Sequence, residues 1–295
     1  MNLHDRNREM NNPAGLRQLL QRRELLVAPG AYDAISARTI EQSGFEAVYM
    51  TGSGTSAARG FPDFGLVTMT EMAENAGVIA RSVSIPLIAD ADTGYGNELN
   101  VTRTVREYEA RGVAGLHIED QVSPKRCGHL DGKEIVSREE FLSKIRAAVQ
   151  ARRDPDFLVI ARTDSRATHG LDEAIGRAND AIAAGADMAF VEAPANIDEM
   201  AAIPRRVQGP CMLNIVPGGK TPVISLDEVQ AMGYRLAILP GILLRSAIAT
   251  FDRVLADLAH TRLPKAAAGQ DSVLKGFQRF GADEWNALRR SADRD

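Results

Sequence analysis

The chain alternates between two hydrophobic periods. Short runs rich in Val, Ile, Leu and Ala break off at polar residues, and longer stretches with helical spacing lie between them. Eight of the short runs read as strands: residues 25–31, 47–52, 86–92, 115–120, 157–164, 188–193, 211–216 and 235–241. Near-continuous apolar strands are the pattern of a parallel sheet buried on both faces. Four helical stretches run into a glycine just before a strand, at Ser43-Gly44, Arg111-Gly112, Ala184-Gly185 and Met232-Gly233. Glycine past a helix end takes up the left-handed cap at little steric cost. A repeated helix–Gly–strand junction is what a series of βα units requires. Eight units in 295 residues predict a closed (β/α)8 barrel, with a doubly wound open sheet as the alternative.

Two connections depart from regular units. Residues 53–66 and 121–137, after the second and fourth strands, are long and rich in Gly, Pro and charge. Long ordered loops on a rigid scaffold commonly carry function. Two further helical patterns follow from Leu263 onward. No Pro/Ser-rich linker or charge block intervenes, so residues 1–295 read as one barrel domain with a C-terminal helical extension.

Composition narrows the function. The formal net charge of -4 and the lack of a long basic run argue against a nucleic-acid surface. Residues 1–21 lack the apolar core of a signal peptide, and no 18-residue apolar run follows. The two cysteines, Cys127 and Cys211, are far apart and read as thiols in a reducing compartment. A cytoplasmic protein that touches neither membrane nor nucleic acid is expected.

The candidate chemistry lies at the ends of the strands. The third ends in Asp90-Ala91-Asp92, the fourth in Glu119-Asp120 and the fifth in Arg162-Thr163-Asp164; the sixth ends at Glu192, and the seventh carries Asn214. Any one acid could simply cap the next helix. Five consecutive strands ending this way point to the C-terminal mouth, where barrel active sites lie. Asp90 and Asp92 point the same way on one strand, and Glu119 comes from its neighbour. Three such carboxylates repel unless a cation neutralises them, and hard oxygen donors suit Mg²⁺ or Mn²⁺. His117, inside an apolar run, reads as a hydrogen-bonded core residue. Cys211, also among apolar residues, reads as core packing. Cys127 stands between cations in Lys125-Arg126-Cys127-Gly128-His129, a field that favours thiolate; an incidental Cys in a mobile basic loop is an equal alternative.

At these residues the sequence resembles the isocitrate lyase/phosphoenolpyruvate mutase superfamily, most nearly its methylisocitrate lyase and 2,3-dimethylmalate lyase branches. The matching stretches are Tyr49-Met-Thr-Gly-Ser-Gly, Pro62-Asp63, Asp90-Ala-Asp-Thr-Gly-Tyr-Gly, Gly115-Leu-His-Ile-Glu-Asp-Gln, Lys125-Arg-Cys-Gly-His, Ile160-Ala-Arg-Thr-Asp, Val191-Glu-Ala, and Asn214 with Thr221-Pro222. The Lys-Arg-Cys-Gly-His loop is the specific element, a signature of the lyases. The resemblance implies that Asp90, Asp92 and Glu119 hold Mg²⁺, some through water. It implies substrate contacts from Thr51, Gly52, Ser53, Asp63, Gly128, Glu192 and Asn214, and a bidentate grip on a carboxylate by Arg162. Cys127 becomes the acid on a gating loop, with Lys125 and His129 beside it and Tyr49 near the reacting hydroxyl. A swapped eighth helix and a homotetramer built from dimers are also implied.

The segment after the seventh strand, Asn214-Ile-Val-Pro-Gly-Gly-Lys-Thr-Pro, departs from the methylisocitrate lyase pattern and looks more like the dimethylmalate lyase and plant petal-death branch. Arg245 matches an arginine that methylisocitrate lyases use for a substrate carboxylate. The expected activity is therefore metal-dependent carbon–carbon cleavage of a 2-hydroxy di- or tricarboxylate to pyruvate and a second carboxylate. Oxaloacetate hydrolysis or decarboxylation, phosphonopyruvate-type mutation, and a non-catalytic binding protein on the same barrel are the rivals.

Overall fold

The computed structural model describes residues 12–266 and 272–292; residues 1–11 of the polar N-terminal stretch lie outside them. Eight strands, all parallel, close into a barrel in chain order. They are β1 (Leu26–Ala31), β2 (Val48–Met50), β3 (Leu87–Asp90), β4 (Gly115–Glu119), β5 (Leu158–Thr163), β6 (Met188–Val191), β7 (Cys211–Asn214) and β8 (Leu236–Leu239), with β8 pairing back onto β1. Each falls inside its predicted run. The four junction glycines, Gly44, Gly112, Gly185 and Gly233, all have φ between 83° and 104°, the left-handed conformation that ends a helix.

Strand side chains alternate between two environments. One set packs inside the barrel: Ala28, Tyr49, Ile88, Leu158, Ile160, Met188, Phe190, Met212, Leu236 and Ile238. The neighbouring positions pack outward against the helices. The first helix, α1 (Pro13–Gln21), adds Leu16 and Leu19 to the inner set. Those two side chains are buried at the N-terminal end of the strands and stop that end of the barrel.

Past the inner fillers, β2 to β7 continue, still inward, into Thr51, Asp90, Glu119, Arg162, Glu192 and Asn214, whereas β1 and β8 continue into Gly30 and Pro240. The helices follow the strands in turn: α2 (Ala34–Gln42) and α3 (Gly52–Ala58) after β1 and β2, then α4 (Met69–Ala80), α5 (Glu98–Glu109), α6 (Arg138–Ala151), α7 (Ser165–His169), α8 (Leu171–Ala183), α9 (Ile197–Arg206) and α10 (Leu226–Met232). One expectation needs correction here. The connection at 53–66 opens as helix α3, because Thr51 accepts a hydrogen bond from the Gly54 N–H and starts a helical turn of small residues.

Contacts divide the chain into two compact units, Met1–Arg245 and Ser246–Asp295. The first holds the barrel. Helix α11 (Ile242–Thr261) starts in the first and runs into the second, which also carries α12 (Val273–Gln278) and α13 (Ala282–Ala292). Among the described residues no helix is long and apolar enough to cross a membrane.

Candidate active site

The floor of the mouth is a layer of rings on alternate strands. Tyr49 of β2 stacks on His117 of β4, with centroids 5.8 Å apart, and His117 meets Phe190 of β6 edge-on at 5.6 Å. His117 is thus barrel packing, as its apolar neighbours suggest, and also the base of the polar site. Its Nε2 lies 2.9 Å from the Tyr49 hydroxyl and 3.7 Å from Asp90 Oδ1. The Tyr49 hydroxyl is 3.4 Å from Asp90 Oδ2. Burial pushes the Tyr49 phenol well above its ordinary range, so it stays protonated.

The three acids lie above this floor and all are buried. Asp90 accepts from the Gly52 N–H at 3.2 Å and the Asp92 N–H at 3.0 Å. A Cβ at residue 52 would collide with the Asp90 carboxylate, so the close approach needs glycine. Burial opposes ionisation of Asp90, but His117, Lys125 and Arg162 outweigh it and hold the carboxyl at about 2. At neutral pH only the Lys and Arg carry that charge, because burial pushes His117 down to about 4. Asp92, at φ 46°, is lifted to about 6 by burial and the nearby Asp90 and Asp63, against Lys125. Burial, joined by Asp164 and Asp90, takes Glu119 well above its ordinary range against the pull of Arg162.

These donors fit a hard divalent cation. Asp92 Oδ1 and both Glu119 carboxylate oxygens are buried with no hydrogen-bond partner, although Lys125 Nζ and Arg162 Nη1 come within 3.0 Å of them as ion pairs. Orphaned carboxylate oxygens in a crowded acidic site are what a bound cation relieves. Among the described residues no three His, Cys, Asp or Glu side chains converge as a ready-made direct ligand set. Contact partly through water, the habit of Mg²⁺, suits that spacing.

The loop after β4 folds down into the mouth. Its base is a short antiparallel pairing of Gln121 with Ile135, and the Gln121 side chain holds the backbone of Arg126 by two hydrogen bonds, at 2.8 and 3.0 Å. Lys125, 4% exposed, bridges Asp63 and Asp92. Gly128 lies flat on two site residues: a Cβ there would come within 2.5 Å of Arg162 Nη2 and 2.6 Å of Glu192 Cγ. His129 Nδ1 accepts from the Lys220 backbone N–H at 3.0 Å, so in the neutral ring Nε2 carries the proton. That nitrogen faces Glu192 Oε1 at 3.0 Å.

The thiolate reading of Cys127 is corrected by this seating. Lys125 turns to its two aspartates, and the Arg126 guanidinium lies over the Phe64 ring at 5.7 Å. Burial, with Asp63 adding to it, pushes the Cys127 thiol above its ordinary pKa, which keeps its proton in place. Cys211 lies in the outer core, where burial takes it up to about 12.

Arg162 sits at the centre. The expected fork onto a ligand carboxylate is engaged instead by Asp164, two residues further on and just past the end of β5, with Nε to Oδ2 at 2.9 Å and Nη2 to Oδ1 at 3.3 Å. Its Nη1 pairs with Glu119 at 3.0 Å, and the guanidinium lies 5.2 Å from the centroid of Phe190. Burial opposes ionisation of Glu192, but Arg162 and His129 outweigh it and keep the carboxyl below its ordinary range. Asn214 donates to both Glu192 oxygens, at 3.2 and 3.3 Å. Thr51 and Ser53 hydroxyls lie 3.0 Å apart beside the acids.

Arg245 is the one expected site residue that lies apart. It is exposed, and its guanidinium donates to the Pro217 carbonyl at the rim. Conversely, Lys133, Asp164 and Asp120 were not among the expected site residues. Asp120 accepts from the Thr163 hydroxyl, the Asp164 N–H and Arg177 beneath the site. Asp120 and Asp164 stand at the polar ends of the fourth and fifth runs and Lys133 in the loop between them, but nothing in the period shows which of those residues pair with one another.

Comparison with known proteins adds to this geometry. A family profile described as phosphoenolpyruvate phosphomutase matches residues 16–259. The 2,3-dimethylmalate lyase of Eubacterium barkeri is 51% identical over 232 residues, covering 78% of this chain and 80% of that one. The 2-methylisocitrate lyase of Aeropyrum pernix is 43% identical over 243 residues, covering 82% and 78%. A solved oxaloacetate acetylhydrolase in complex with 3,3-difluorooxalacetate superposes with a TM-score of 0.92 at 40% identity, covering 96% and 98%. A phosphonopyruvate hydrolase solved with oxalate and Mg²⁺ superposes with a TM-score of 0.85 at 32% identity, covering 94% and 98%.

Proposed function

The chain belongs to the phosphoenolpyruvate mutase/isocitrate lyase superfamily, and from that premise we propose that it is a carbon–carbon lyase acting on a 2-hydroxy di- or tricarboxylate. The substrate is of the 2,3-dimethylmalate or 2-methylisocitrate type, and the products are pyruvate and a second carboxylate. The observation that carries the reading is the seating of Cys127-Gly128-His129 in the mouth, with Gly128 against Arg162 and Glu192. Asp90, Asp92 and Glu119 would hold Mg²⁺, or Mn²⁺ in its place. When bound, the cation supplies positive charge to the substrate hydroxyl and its adjacent carboxylate, which lowers the hydroxyl pKa.

The residues of the chain do the rest. Thr51, Gly52 and Ser53 bind the hydroxycarboxylate end beside the acids. Asp63 holds Lys125 in place at the rim. Once the hydroxyl proton has passed to a carboxylate of the mouth, the C2–C3 bond breaks, C2 becomes the keto carbon of pyruvate, and the electron pair stays on C3 as an enolate. Arg162, fixed by Asp164 and Glu119, stabilises that charge. Glu192 and Asn214 orient the departing half, with His129 holding Glu192. Cys127 delivers its proton to C3, and the loop excludes water while the enolate exists.

For the substituent on C3 we favour alkylmalates. Arg245 is engaged by a backbone carbonyl at the rim, which leaves a third carboxylate without a buried cation there. Val216, beyond β7, offers an apolar surface instead. The test is release of a 2-oxo acid with Mg²⁺: pyruvate from 2,3-dimethylmalate, 2-methylisocitrate and 2-methylmalate, and glyoxylate from isocitrate. We expect kcat/KM to be highest for 2,3-dimethylmalate; release from none of them would end the reading. The overlay with oxaloacetate acetylhydrolase sustains one rival, and oxalate plus acetate formed from oxaloacetate would establish it.

We also infer a cytoplasmic homotetramer assembled from dimers with a swapped helix. An apolar stripe at helical spacing along α11, Ile248, Phe251, Leu255 and Leu258, supports it. The whole chain is read as one barrel domain with a C-terminal helical extension.

A further inference from the structure

The loop over the mouth enters it with two buried ammonium groups, one on each side of Cys127. Lys125 has its place in the reading above. Lys133 does not, and its surroundings are unusual for a loop lysine. Its side chain is 1% exposed, on a segment whose neighbours Asp131 and Gly132 are exposed. Lysine is almost never fully buried unless it is paired. Its Nζ reaches two groups: Asp164 Oδ1 at 2.9 Å and the Gly128 carbonyl.

Each of those partners belongs to the site. Asp164 is the residue that grips the Arg162 fork, and its Oδ1 is shared between Lys133 and Arg162 Nη2. Asp164 is itself held from below by its N–H to Asp120 at 2.8 Å. Gly128 is the residue that lies on Arg162 and Glu192 with no room for a Cβ. Lys133 therefore ties the loop backbone next to Cys127 to the same carboxylate that aims the guanidinium. Without Lys133 the Asp164 carboxylate would keep Arg162 as its one partner among these contacts.

We propose that Lys133 is a positioning residue of the lyase reaction: it latches the Gly128 carbonyl to Asp164 and so fixes Cys127 and Arg162 in one geometry when the loop is seated. The latch touches neither the acids nor the substrate, so it acts on the placement of the proton donor and not on affinity. The statement about geometry stands on the contacts alone; the statement about rate rests on the lyase reading.

The two are tested separately with Lys133→Met, which keeps the length and removes the charge, and Lys133→Arg, which keeps the charge. The first measurement is amide hydrogen exchange over residues 121–137 in the intact protein with Mg²⁺ and oxalate, beside the melting temperature. We expect Lys133→Met to exchange at least 10-fold faster at His129 and Leu130 with a melting temperature near the parent's, and Lys133→Arg to recover part of the protection. Unchanged exchange in Lys133→Met would overturn the latch, whatever the enzyme's substrate. If Lys133→Met does not fold, parental exchange in Lys133→Gln would do the same.

The second measurement is pyruvate release from 2,3-dimethylmalate in D₂O. We expect kcat to fall about 10- to 100-fold, the scale of a misplaced reacting group, with KM within about 3-fold of the parent. The propanoate formed should lose its single deuterated configuration at C2, because solvent then competes with Cys127 for the enolate. Full kcat with one configuration retained would overturn the positioning role. A parent that releases no pyruvate from any alkylmalate, with the exchange difference intact, would end the lyase reading and leave the latch standing.

Discussion

At the scale of single residues, the site works by burying charge in pairs and leaving one proton on a thiol. Cys127 shows the consequence most directly. In the proposed reaction its active form is the protonated one, so activity should be lost as pH rises through its pKa, and burial moves that point upward. The alkaline limb of kcat should therefore lie above pH 9.0, the ordinary thiol value. Cys127→Ser should lower kcat by about 10²- to 10⁴-fold and abolish the limb. A limb unchanged in the Ser variant would remove Cys127 from the role. Much of this site was legible two residues at a time. Asp90 follows Ile88, Arg162 follows Ile160, Glu192 follows Phe190 and Asn214 follows Met212, each polar group continuing an inward-facing row. What the period does not carry is the stagger between strands. The register that sets Asp90 opposite His117 brings a mid-strand histidine under the carboxylate, and only barrel closure fixes that register. The Asp164 grip on Arg162 was equally hidden, because a guanidinium reads as free until its neighbours are placed.

At the scale of elements, the barrel was legible because two local signals agree everywhere. All eight strands form within the apolar runs, and glycine ends the helix before β2, β4, β6 and β8. The energetic part of that signal can be isolated at Gly44. It has φ 86°, and no heavy atom lies within 4 Å of where a Cβ would stand. Gly44→Ala thus adds only the left-handed backbone penalty, about 1–2 kcal/mol. Urea unfolding should report that loss while the pyruvate-release rate stays at the parental value; no loss of stability would deny that the junction depends on glycine. The loops were harder to read. Residues 121–137 have no periodicity, yet they form a braced hairpin-like strap. Gln121 braces the Arg126 backbone inside the loop, and the rest of its order comes from side chains that leave it, namely Lys125, His129 and Lys133; long-range partners of this kind leave no local pattern. The start of the 53–66 connection likewise reads as part of an irregular Gly-containing loop, although Thr51 starts a helix there.

At the scale of the whole molecule, the proposed reaction makes activity conditional on a cation held by Asp90, Asp92 and Glu119. Treatment with EDTA should abolish turnover, and Mg²⁺ or Mn²⁺ should restore it. Asp92→Ala should resist rescue at moderate Mg²⁺, since one of the three carboxylates is gone; full turnover by metal-free protein would refute the assignment. One further property of the barrel bears on the order of events. Leu16 and Leu19 of α1 close the far end, and the rings of Tyr49, His117 and Phe190 close the floor. Everything that enters must leave by the same opening, under the strap that carries Cys127. The fragment next to Cys127 then lies in the exit path of the fragment held on the acids. On the proposed reading release should then be sequential, with the second carboxylate departing first and pyruvate last. Steady-state inhibition should show this as pyruvate competing with substrate for the empty enzyme, while the second carboxylate inhibits without competing. The reverse pattern would mean that pyruvate has another way out.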